Sequence, residues 1–108
     1  LDAGSYFGPQ FQGTRIPTLD EVLDLVKGKL LVNIELKSLD ISGAMLGVDT
    51  VKAVRAHGMV NDVVISSFNP FALRRSKQAG PEIEHALLLA TDTSPWTRWA
   101  GTPRRVST

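Results

Sequence analysis

The run Asn33-Ile34-Glu35-Leu36-Lys37 sets a carboxylate and an ammonium two residues apart. In an extended strand, residues i and i+2 share a face, so Glu35 and Lys37 project together with Asn33 and Leu31. Val32, Ile34 and Leu36 project the other way. A carboxylate in that position can hold a hard divalent cation through oxygen. The neighbouring ammonium can neutralise a phosphate. A second reading of the same pattern is an exposed strand face with a local Glu–Lys pair, worth little in free energy. Ser66-Ser67-Phe68 closes a later β-branched run, Val63-Val64-Ile65, in the equivalent place. A hydroxyl there bonds a ligand or steadies the following helix. No residue at a suitable spacing pairs either serine with a base, so a serine nucleophile is not expected.

The other candidate groups carry less. His57 closes a helical stretch, where the dipole favours an imidazolium, and His85 opens an apolar strand. Neither has a partner at metal-ligand spacing. Trp96 and Trp99 stand one helical turn apart, a spacing that suits packing on a core as well as a binding platform. Gly43 and Gly47 follow no phosphate-loop pattern. The chain has no cysteine, which removes disulfides, thiolate nucleophiles and cysteine-ligated metals.

The elements that must position these residues follow from periodicity. Residues 1–17 are rich in Gly, Pro and aromatics and read as a long ordered loop. Thr18 and Glu21 have capping-box spacing, and Leu19, Val22, Leu23 and Val26 recur at helical intervals, predicting a helix over about 18–27 that stops at Gly28. Residues 30–36 form a strand. A second helix is expected over about 43–57, with Val48, Val51 and Val54 as its apolar stripe and Gly58 as its end. Residues 63–67 are a second strand. Asn69-Pro70 is a helix entry, and that helix ends at Gly80-Pro81. Residues 85–90 are a third strand. Short apolar strands alternating with helices argue for parallel βα units.

Composition bounds the rest. The chain of 108 residues has room for one small domain. Its formal net charge of +1 gives no long-range pull towards nucleic acid or anionic lipid. Arg98, Arg104 and Arg105 crowd the last residues, as a solvated tail or as a phosphate or acidic-lipid contact. No apolar run approaches the roughly 18 residues of a membrane span. No signal peptide is visible in the first residues and a cytoplasmic location is expected. A start without Met leads us to expect a piece processed or excised from a longer protein.

Taken in order, LDAGSYFGPQF, IPTLDEVL, VNIELK and VVISSFNPFALRR resemble the glycerophosphodiester phosphodiesterase family over about residues 1–90. The resemblance implies an α/β fold: a fragment of a TIM (β/α)₈ barrel, its strands four to six, with about three parallel strands and three helices. It implies a partial domain made of an insertion-like loop at 1–17, βα units at 18–90 and a tail at 91–108. The implied activity is metal-dependent hydrolysis of glycerophosphodiesters to glycerol 3-phosphate and an alcohol, with Ca²⁺ or Mg²⁺. Glu35 matches a metal ligand, Lys37 matches the lysine near the substrate phosphate, and Tyr6, Phe7 and Phe68 fall where the substrate pocket is shaped. The family's His-Arg-Gly, Glu-x-Asp and His-Asp motifs do not occur in this sequence, so the resemblance transfers no catalytic residue. The expectation is an isolated chain without activity that binds its cation weakly. The alternatives are a non-catalytic phosphate- or metal-binding domain and a self-associating module, since a barrel slice leaves strand edges for a second copy or a completing chain.

Overall fold

The computed structural model describes residues 2–38 and 44–90. Gly43 and the tail with Trp96, Trp99 and its three arginines lie outside the described residues. A loop containing a short 3₁₀ turn at Pro9–Phe11 leads into α1 (Leu19–Val26), β1 (Val32–Glu35), α2 (Ala44–Ala56), β2 (Val63–Ser67), α3 (Pro70–Ala79) and β3 (Glu84–Leu87). The three strands form one parallel sheet in the order β1-β2-β3.

Local chemistry sets the boundaries. Thr18 Oγ1 accepts the Glu21 N–H at 3.2 Å, which starts α1. Asn69 Oδ1 accepts the N–H groups of Phe71 and Ala72 at 3.0 and 3.3 Å, and Pro70 fills the first helical position, which starts α3. Gly58, at φ 66°, takes the left-handed conformation that ends α2. The third strand is shorter than the apolar run suggests. Ladder pairing stops at Leu87, and the Leu88 N–H still donates to Ser67 O at 2.8 Å. Residues 88–90 are apolar, yet apolarity alone supplies no pairing partner.

The helices cover one face of the sheet. Leu23 from α1, Val51 and Val54 from α2 and Ala72 from α3 share a buried core with Leu36, Val63 and Ile65. Gly47 is the close-approach point of the two later helices. A Cβ there would meet Ser76 Cβ at 2.8 Å, inside normal contact. The sequence shows Gly47 only as a weak helix former; its purpose is to let α2 and α3 touch.

The loop before α1 is held by the Asp2 carboxylate and by backbone hydrogen bonds, not by its exposed aromatics Tyr6 and Phe7. Asp2 Oδ1 accepts the N–H groups of Gly4 and Ser5 at 2.9 and 3.1 Å, and the Ala3 N–H donates to Thr14 O at 2.6 Å. These donors hold the Asp2 carboxyl below its ordinary range. Tyr6 and Phe7 stay in solvent, 89% and 77% exposed, with their rings edge-to-face at 5.3 Å. Burial of Tyr6 and Phe7 is therefore not what holds this loop.

Candidate functional site

Alternation along β1 divides its residues as the sequence requires. Val32 and Ile34 are half-buried and Leu36 is buried on the helix-covered face. Leu31, Asn33, Glu35 and Lys37 are exposed on the other. Glu35 is thus exposed at the C-terminal end of the first parallel strand and Lys37 is exposed two residues on, at the end where α/β sheets place their chemistry.

Register assembles the rest of the inner face. Asn33 lies level with Val64 and Glu84, and Glu35 lies level with Ser66 and Ala86. Ser66 Oγ donates to Asn33 Oδ1 at 2.8 Å, tying the two strands beneath Glu35. Phe68 follows β2 two residues after Ser66 and is 55% exposed. Ser67 points to the covered face. Its Oγ donates to Leu36 O at 2.8 Å and accepts the Asn69 N–H at 3.0 Å. The serines thus bond to β1 and to the start of α3 within the chain. An open depression of about 330 Å³ on this face lies at the other end of the strands, among Leu31, Asn33, Asp62 and Glu84.

The histidines are engaged elsewhere. His57 Nδ1 stands 2.8 Å from Ala53 O, and its Nε2 stands 3.0 Å from Asp24 Oδ1 on α1. His85 is fully buried between β3 and α3. Its Nε2 lies 2.8 Å from Ser76 Oγ and its Nδ1 lies 2.8 Å from Ile83 O. The carbonyl accepts only, so Nδ1 carries the proton and Nε2 accepts from the serine. Burial pushes the His85 ring below its ordinary value of 6.5. The sequence places His85 at the start of a strand; its partner Ser76, nine residues back on an amphipathic helix, carries no local signal of the pairing.

The donor set for a cation is partial. The Glu35 level offers one carboxylate beside a serine and an alanine. Among the described residues no cluster of three or more His, Asp or Glu side chains is arranged for a metal. Ca²⁺ takes six to eight oxygens, so these residues do not fit a cation site by themselves.

The model of the glycerophosphoryl diester phosphodiesterase family matches residues 1–107. The chain belongs to this family. Within it, the chain is 41% identical over 98 residues to the glycerophosphodiester phosphodiesterase of Caldanaerobacter subterraneus subsp. tengcongensis, an alignment covering 89% of this chain and 40% of that protein. It is 32% identical over 102 residues to the glycerophosphodiester phosphodiesterase of Bacillus subtilis, covering 82% of this chain and 35% of the relative. The chain thus spans well under half the length of these members of the glycerophosphodiester phosphodiesterase family. The parallel α/β arrangement agrees with the barrel strands that the sequence resemblance implies. No helix among the described residues is long and apolar enough to cross a membrane.

Proposed function

We propose that this chain supplies the Glu35–Lys37 element of a phosphodiesterase that hydrolyses glycerophosphodiesters to glycerol 3-phosphate and an alcohol. What supports this reading is the exposure of Glu35 at the C-terminal end of a parallel strand, and of Lys37 two residues on, in a chain of this family. Lys37 neutralises charge that builds on the phosphoryl oxygens. Glu35 is one oxygen ligand of a Ca²⁺ or Mg²⁺ site whose other ligands come from outside these residues. Such a cation, when bound, polarises a phosphoryl oxygen. Tyr6, Phe7 and Phe68 shape the end of the pocket that meets the alcohol.

The test is a chimera in which the 98 matched residues of the Caldanaerobacter relative are replaced by those of this chain. The expected result is metal-dependent hydrolysis of glycerophosphodiesters by the chimera and none by the isolated 108-residue chain. A folded, inactive chimera, or chelator-sensitive hydrolysis by the purified chain alone, contradicts the proposal.

A second reading rests on a separate observation. Leu30 and Leu31 are 62% and 82% exposed. Among the described residues, β1 and β3 each pair on one side only. Unpaired edges beside apolar surface are templates for another strand. On this reading the chain self-associates or is completed by another chain. Sedimentation at low micromolar concentration decides it, and a monomer with a sharp thermal transition rules it out.

A further inference from the structure

Leu36 is the residue between Glu35 and Lys37, and it is gripped at both ends. Its N–H donates to Ser66 O at 2.7 Å, and its carbonyl accepts the Ser67 hydroxyl at 2.8 Å. The second bond falls just past the last ladder residue of β1, where β2 is about to turn into α3. A side-chain hydroxyl takes over there from a backbone donor. The same Ser67 oxygen accepts the Asn69 N–H, and Asn69 caps α3. One buried oxygen therefore links the start of a helix to the peptide that carries both site residues. Ser67 itself faces the core, and its hydroxyl bonds the Leu36 carbonyl and the Asn69 N–H.

We propose that Ser67 is the positioning residue for this site. It fixes the Leu36 peptide, and through it the direction in which Glu35 and Lys37 project. The assignment rests on the functional reading of those two residues. The physical warrant is that a buried carbonyl deprived of its donor either opens to water or moves. Either event displaces Lys37, which lies beyond the ladder and directly follows the Leu36 carbonyl that Ser67 holds.

Amide hydrogen exchange on the full chain tests the mechanical half. In Ser67→Ala the Leu36 amide is expected to exchange about tenfold faster relative to the Val32 amide, which is anchored to Asp62 O at the far end of β1. Ser67→Cys, nearly isosteric with a weak donor, gives a smaller acceleration of the same selectivity and serves if the alanine variant does not fold. Equal acceleration at Val32 and Leu36, or none at either, overturns the proposal. The chemical half is read in the chimera. Ser67→Ala lowers kcat about tenfold with KM nearly unchanged, and adds less than that when Lys37→Met is already present, because part of its effect acts through Lys37. A full, additive loss on top of Lys37→Met makes Ser67 a structural residue only. If Glu35→Gln and Lys37→Met leave turnover intact, the functional reading fails, while the exchange ratio still reports whether Ser67 holds the strand end.

Discussion

The two faces of β1 and β2 are built from the same backbone and have opposite fates. On one, Leu36, Val63 and Ile65 are buried beneath the helices. On the other, Asn33, Glu35 and Lys37 stand in solvent, and the buried group at the Glu35 level is the Ser66 hydroxyl. A period of two lets one short strand carry a core face and an exposed polar face without compromise between them. The lesson is that stability and function should separate by face, residue by residue.

The strongest challenge to that separation is Ile65→Ala. Ile65 is fully buried at the centre of the sheet, and its truncation is expected to cost about 2–5 kcal/mol, measured by urea unfolding. For a small domain that is a large share of its stability. A loss near zero would show that the covered face is not the core. Gly47→Val comes next. The added side chain drives into Ser76 and should cost about 1–3 kcal/mol by overpacking.

The buried His85 adds a pH term on the covered side. Burial depresses the folded ring below 6.5; the Ile83 hydrogen bond and Glu82 oppose this, and Lys77 adds to it. The unfolded ring binds more protons just below 6.5, so stability is full above that pH and falls as pH drops below it. Thermal unfolding of the Ser76→Ala/His85→Leu double variant should show a shallower decline in that window, because no buried ring is left to charge. An unchanged decline assigns it elsewhere. Glu21 and Glu82, held low by Arg15 and Arg55 respectively, lose their contribution only at lower pH, below their ordinary 4.5.

The smallest expected effect is on the open face. Leu31→Lys should change stability by no more than about 0.5 kcal/mol, since the side chain is 82% exposed. If the chain self-associates through this face, the same substitution lowers its mass in sedimentation.

Much of this division was legible in the sequence because it depends on short-range patterns. The Thr18 and Asn69 caps, the alternation across residues 31–37 and the parallel order all follow from spacing. What was not legible depends on residues distant in sequence. Ser67 reaches Leu36 across 31 positions, and Ser76 meets His85 only because α3 lies against β3. Gly47 reads as a flaw in a helix until Ser76 is seen against it. For the site, residue types and the alternation that exposes Glu35 could be read, but the Ser66–Asn33 bond beneath it could not.

The central claim is that Glu35 acts in chemistry and not in folding, and one paired measurement tests it. Glu35→Gln is made in the chimera, and both urea unfolding and glycerophosphodiester turnover are recorded. The unfolding midpoint is expected to stay put while kcat/KM falls about a hundredfold or more, as when transition-state stabilisation is lost. Unchanged turnover with unchanged stability would contradict it, leaving Glu35 a solvated residue on an open strand.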